Sequence, residues 1–274
     1  MLDNMRPNRI VRGVRNRLLK TQMIRRLPTL YLHLLIQRIG HTDPEMYLLP
    51  SLCDEAASAV DIGSHAGDYA FHMLRHSRHC HVFEPRPDAI KNIEGLLEGA
   101  SLPITIHAAA LSNAGGTMSL RVAPECPERS TLEATNPLED FSEHHISVPV
   151  RRLDDCDLEE VGCIKIDVEG HELAVLEGAM ETIRRDQPSL IIEAEERHNP
   201  DAVENLVCLL EPIGYDGYFL ENRHLRSIEK FDVHEHQTSL LDGKYVRDKD
   251  AYVNNFIFVT ALSSIDLTLL PTSR

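Results

Sequence analysis

Three short runs hold the residues best suited to chemistry. The first is Asp61-Ile62-Gly63-Ser64-His65-Ala66-Gly67-Asp68-Tyr69, directly after the apolar stretch 59–62. A strand that turns into a helix at glycines brings backbone N–H groups and a helix N-terminus close to a ligand. The glycine spacing here is G-x-x-x-G, which is neither the G-x-G-x-x-G of a dinucleotide fold nor the G-x-x-x-x-G-K-[ST] of a phosphate loop. Asp61, just ahead of the first glycine, suits a cationic ligand better than a pyrophosphate. The second run is Phe83-Glu84-Pro85, roughly twenty residues further on, where an acid at the end of a strand can accept both hydroxyls of a ribose. The third is Lys165-Ile166-Asp167-Val168-Glu169-Gly170-His171-Glu172.

The first two runs together specify a nucleoside carrying positive charge, a description that S-adenosylmethionine fits. The simpler alternative is a plain strand-to-helix turn, and the distance between the loop and Glu84 counts against it. In the third run Lys165 and Asp167 lie two apart on an extended strand and so share a face. A lysine in a central strand is costly to bury without a partner or a task, and a structural Lys165–Asp167 pair with Glu172 as a first-turn acid is the alternative to a catalytic reading.

The chain resembles the FkbM-type S-adenosylmethionine-dependent methyltransferases. The segments that carry the likeness are VDIGSHAGDYAFHM (60–73), VFEPRPDAI (82–90), HAAALSNAGGTMSL (107–120), RRLDD (151–155), CIKIDVEGHELAVLEGAM (163–180) and PSLIIEAE (188–195). The resemblance implies a Rossmann-like class I methyltransferase fold, a doubly wound and mostly parallel seven-stranded sheet, with the cofactor over the C-terminal ends of the first, second and fourth strands. It implies that Gly63 and Gly67, with Asp61, Ser64 and Tyr69 around them, form the methionine-side loop. Glu84, followed by Pro85, would hold the ribose, Ala109, Ala110 and Leu111 would flank the adenine, and Asp167 would reach the same site. His65 departs from the family, which often has Asn there.

The acceptor implied is a small molecule or glycan, methylated on a hydroxyl of a sugar, polyketide or similar metabolite. Such a transfer is an in-line displacement that needs donor and acceptor aligned and the acceptor's proton removed. His171 ranks first as base because imidazole titrates near neutrality, then Asp167 or Glu169, then Lys165 if burial depresses its pKa. Glu193, Glu195 and His198 follow the next strand and could line the same cleft. Asp167, Glu193 and Glu195 offer oxygens hard enough for a divalent ion, but no tight metal signature accompanies them. The histidines at 76, 79, 81, 144, 145, 234 and 236 lack convergent spacing, so no metal is assigned.

From residue 56 onward, apolar runs at 59–62, 80–84, 104–108, 163–167, 190–194, 215–219 and 255–260 alternate with helical stretches at 87–98 and 172–185 in βα rhythm. Residues 113–152 break the rhythm with Gly115-Gly116, four prolines and two alternating segments at 117–122 and 146–152. That pattern predicts a loop with short extra strands. The organisation read from it is a helical N-terminal extension over 1–55, a methyltransferase domain over 56–262 and a tail over 263–274.

Of the 274 residues 42% are apolar and 26% charged, which excludes disorder. No apolar run approaches the ~20 residues of a membrane span. Six cysteines without a C-x-x-C argue for reduced thiols and a cytoplasmic location. The net charge of −15 divides into +8 over residues 1–40 and −23 over the rest, so the body should repel nucleic acid. The basic, amphipathic residues 1–40 predict either an accessory helix packed on the domain or a peripheral contact with an anionic membrane. A cofactor-binding protein without catalysis and another kind of nucleotide-dependent α/β enzyme are the rival readings.

Overall fold

The computed structural model describes residues 43–98, 101–134, 142–242, 245–248, 251–260 and 265. The basic arm and most of the expected tail lie outside them. The chain builds β1 (Ser58–Ile62), β2 (His79–Phe83), β3 (Ile104–His107), β4 (Ala110–Leu111), β5 (Gly116–Val122), β6 (His144–Arg151), β7 (Val161–Ile166), β8 (Ser189–Glu193), β9 (Asp216–Glu221), β10 (His224–Ser227), β11 (Leu241–Asp242), β12 (Tyr245–Val246) and β13 (Asn255–Val259). The helices that matter to the site are α1 (Leu49–Leu52), α2 (Asp68–Met73), α3 (Pro87–Leu97), α4 (Glu172–Glu177), α5 (Met180–Asp186) and α6 (Ala202–Leu210).

Eight strands form one sheet in the order β10-β9-β13-β8-β7-β1-β2-β3. The run from β8 to β3 is parallel, and β13 inserts antiparallel between β8 and β9. The expected sheet has seven strands, and the additional edge strand is β10, folded back on β9. The central strands are buried on both faces, as their unbroken apolar runs require. Alternation then sorts the core. Val60, Ile62, Ile164, Ile166, Leu190 and Ile192 face α4, α5 and α6 through Val175, Leu176, Ile183 and Leu206. Ala59, Cys163, Ile191 and Ile257 face the other layer, with Phe71, Met73, Ile93 and Leu96.

Two boundaries differ from expectation. Met46, Leu48, Leu49 and Leu52 pack into that second layer, so the residues just before 56 belong to the core rather than to an extension. The single helix expected over 172–185 is two, α4 and α5, parted at Gly178-Ala179. A Cβ on Gly178 would lie 2.0 Å from the Ser112 carbonyl oxygen, and the Gly178 carbonyl accepts from Asp154 N at 3.0 Å. The anticipated extra strands form as β5 and β6, which pair antiparallel, with β4 alongside β6 in a small separate sheet.

Candidate active site

The site forms where β7, β1 and β2 end side by side. Gly63 leaves β1 with φ +81°, and a side chain there would place its Cβ 1.7 Å from the Asp167 carbonyl oxygen. Only glycine fits that crossing. Gly63 N donates to Phe83 O and Asp167 N to Ile62 O, both at 3.0 Å, so the three strand ends are stitched together. Gly67, also left-handed, caps α2, and its N–H donates to Ser64 O at 2.7 Å.

Asp61 is buried and turned inward. Its Oδ2 accepts from Ser64 Oγ at 2.6 Å and from Ala70 N at 3.0 Å, and burial pushes its carboxyl up to about 6. Tyr69 lies in the core with Lys165 Nζ 5.0 Å from its ring centre. Asp61, Ser64, Gly67 and Tyr69 therefore shape the loop, and Ala109 likewise falls outside the cleft wall. The expected residues that do line it are Gly63, Glu84, Pro85, Ala110, Leu111 and Asp167. The cleft encloses about 520 Å³, its open mouth included.

Glu84 follows β2 and is buried. Its Oε2 accepts from His65 N at 2.8 Å and its Oε1 from Arg86 N at 2.9 Å. A carboxylate has about four lone-pair sites, which leaves acceptor capacity for ribose hydroxyls. Arg86, to which the sequence motifs assign no role, also lines the cleft. Its Nε stands 3.4 Å from Glu84 Oε1 and its Nη2 3.0 Å from His65 Nδ1. Burial, then the Arg86 charge, lowers the His65 pKa, so the ring accepts from Arg86 as neutral imidazole. Arg86 Nη1 is buried with no hydrogen-bond partner among the described residues. A basic residue between Pro85 and Pro87 at a strand end was the available signal.

The second motif separates into distinct roles. Lys165 is fully buried and pairs in register with Asp61 on the face opposite the Val60 layer. Its Nζ donates to Asn255 Oδ1 at 3.1 Å and to Ile166 O at 3.2 Å. Burial alone would lower its pKa, but the surrounding carboxylates Asp167, Glu193, Asp43 and Asp61 outweigh it and hold the ammonium above its ordinary value. Lys165 is thus a permanent cation and not a base. Glu169 turns away from the cleft, its Oε2 3.2 Å from His198 Nε2. Burial, then the charges of Asp167 and Glu195, holds the Glu169 carboxyl well above its usual range, while burial drops His198 to about 4. Glu169 thus faces His198 and is absent from the cleft lining, which removes it as a base.

Asp167 keeps its place in the cleft, and among the described residues its carboxylate takes no hydrogen bond. His171 also lines the cleft, but both ring nitrogens are engaged. Nδ1 lies 2.5 Å from Glu133 Oε1 and Nε2 2.8 Å from Ser112 Oγ. A carboxylate can only accept, so Nδ1 carries the hydrogen towards Glu133, while Nε2 is held by the Ser112 hydroxyl. That arrangement demotes His171 from first-ranked base to a side chain that braces the wall of the cleft.

Glu193 carries a carboxyl raised well above its normal range by burial and then by the Asp167 charge. Glu195 is held by Arg197 Nη2 at 2.6 Å and by the Tyr252 hydroxyl. Neither joins Asp167 as a metal-type cluster. Convergence appears elsewhere, where sequence spacing gave no hint of it. Ligand atoms of Glu221, Glu235 and His236 lie within 4.8 Å of one another, although His236 Nδ1 is occupied by Asp232 and Glu221 pairs with Arg226.

A second cavity of about 810 Å³, open mouth included, lies between α4 and α6 and shares His171 with the first.

The family model described as the methyltransferase FkbM domain matches residues 61–229. A curated relative, "Methyltransferase 1" of Beauveria bassiana, is 28% identical over 141 residues, 43% of this chain and 57% of that protein. The chain thus spans little more than half of that relative's length. Among solved structures, the methyltransferase FkbM of Methylobacillus flagellatus aligns with 91% of this chain and 59% of its own, at 16% identity and a TM-score of 0.50. A putative methyltransferase of Streptococcus mutans in complex with SAH aligns with 78% of this chain and 94% of its own, at 9% identity and a TM-score of 0.46. Among the described residues no helix is long and apolar enough to cross a membrane.

Proposed function

The chain belongs to the FkbM methyltransferase family, and from that premise we propose that it transfers a methyl group from S-adenosylmethionine to a hydroxyl of a sugar or other polyol-bearing metabolite. The observation that carries the reading is the convergence of Gly63, Glu84 and Asp167 on one cleft at the ends of three adjacent parallel strands. In open α/β sheets that is where ligands bind.

The residues fit the cofactor. Glu84 keeps free acceptor capacity for ribose hydroxyls, Ala110 and Leu111 give a buried apolar wall for an adenine, and the Asp167 carboxylate, which takes no hydrogen bond among the described residues, suits a cation. When bound, S-adenosylmethionine supplies an electrophilic methyl group on a sulfonium and departs as S-adenosylhomocysteine. Asp167 takes the acceptor's hydroxyl proton as the new C–O bond forms. His171, fixed by Glu133 and Ser112, keeps the wall beside Asp167 in place, and Lys165 holds a positive charge beneath the acids.

Calorimetry tests the cofactor assignment. S-adenosylhomocysteine should bind the wild-type chain and NAD should not. Glu84→Ala should weaken S-adenosylhomocysteine binding more than about tenfold, since charge-assisted hydrogen bonds contribute ~1.5–3 kcal/mol each. An unchanged dissociation constant in a mutant that melts cooperatively rejects Glu84 as the ribose partner. Label transfer from S-adenosylmethionine to a hydroxylated acceptor separates catalysis from mere cofactor binding.

A further inference from the structure

We propose that the cavity between α4 and α6 is the acceptor site and that it selects a hydroxyl-rich acceptor of neutral or positive charge, rejecting phosphorylated and carboxylated ones. The inference rests on the methyltransferase reading and deepens it. His171 lines both the cofactor cleft and this cavity, so the two spaces adjoin at its side chain. An acceptor seated in the cavity therefore lies next to the cleft that holds Asp167.

The lining states what kind of acceptor it is. Its polar members include Glu133, Glu172, Glu177, Asn199 and Asn205, and among the described residues it contains no lysine or arginine. Carboxylates and amides recognise hydroxyls and ammonium groups by accepting from them. Phosphate or carboxylate acceptors call for arginine or lysine, and an anion placed here would meet like charge. Glu172 moderates the field, because burial raises its carboxyl to about 7 and it accepts from Gly170 N at 2.8 Å. Glu177 sits at the exposed end, where its Oε2 accepts from Asn113 Nδ2 at 2.7 Å. Glu133 belongs to both functions, lining the cavity and fixing the ring at which it adjoins the cleft. Leu173, Ala174, Ala202 and Leu206 supply the apolar floor on which a sugar ring or short aglycone can lie.

The test uses the full chain with methyl-labelled S-adenosylmethionine and four probes at equal millimolar concentration: methyl glucoside, glucosamine, glucuronate and glucose 6-phosphate. Label should enter the neutral or aminated probes at least tenfold faster than the anionic pair. Glu177→Lys should shift that ratio at least tenfold towards the anions, and Ala174→Trp, which fills the floor, should abolish transfer. S-adenosylhomocysteine affinity should stay within twofold in both variants. Equal or preferred labelling of the anionic probes, labelling of none of the four, or an Ala174→Trp protein that transfers normally overturns the proposal. Loss of S-adenosylhomocysteine binding by the wild-type chain would instead overturn the methyltransferase reading beneath it.

Discussion

Asp167 and His171 stand four residues apart yet meet opposite surroundings. Asp167 ends in a cleft with its carboxylate free of hydrogen bonds among the described residues, while His171 has a partner on each nitrogen. A base must be able to receive a proton where the acceptor arrives, so Asp167→Asn should lower turnover ~10²-fold while leaving S-adenosylhomocysteine affinity within a few-fold. His171→Ala should cost less than ~10-fold in turnover and act mainly on the acceptor's KM, because it loosens a wall rather than removing the proton acceptor. Steady-state kinetics on both variants decides it, and equal losses in kcat would restore His171 as the base. Gly63, Glu84 and Asp167 were legible in the sequence because each sits at a strand end, where one residue's place follows from the local pattern. Ser112 and Glu133 were not. They meet His171 across 59 and 38 residues of chain, and no local pattern encodes that meeting.

At the level of elements, the apolar positions Leu173, Leu176, Met180 and Ile183 keep helical spacing straight through Gly178, so periodicity alone reads one helix where there are two. The break comes from tertiary contact, the Gly178 backbone lying against Ser112. Gly178→Ala would drive a methyl group into a main-chain oxygen that cannot swing aside. Overpacking of this kind costs about 1–3 kcal/mol. The urea midpoint of Gly178→Ala should fall accordingly, and because Ser112 holds His171, transfer should suffer beyond the stability loss. A variant as stable as wild type would show that the two helices tolerate fusion. The edge hairpin was missed for a related reason. Its turn residues Asn222 and Arg223 both take positive φ, which favours a tight hairpin turn, but the turn lacks the glycine that usually announces one. The parallel strands were legible within a residue or two, since strands buried on both faces must be apolar throughout.

Across the whole molecule, acids are buried or half-buried beneath the sheet's ligand end to a degree that composition does not reveal. Asp167, Glu193, Asp43 and Asp61 act on Lys165, and Glu45 feels the same ammonium. Glu45 is the extreme case. It is buried, its Oε2 has no hydrogen-bond partner among the described residues, and burial raises its carboxyl to about 8 from an ordinary 4.5. Between those two values the unfolded chain has released this proton and the folded chain still holds it, so stability falls as pH rises through that window. Glu172, raised by burial to about 7, acts in the same direction. His81 and His198, both lowered by burial to about 4, act in the opposite one, but a histidine's share is complete once the pH passes its ordinary value of 6.5. From pH 6.5 to 8 the acids therefore set the slope, and the melting temperature should decline. Glu45→Gln keeps the shape and removes the titration, so it should reduce the loss of stability over that interval by about 2 kcal/mol, from ~1.4 kcal/mol per pH unit, and flatten the decline in melting temperature accordingly. Thermal melts of the two proteins at matched ionic strength make the comparison, and parallel slopes would mean that Glu45 ionises in the folded chain as readily as in water.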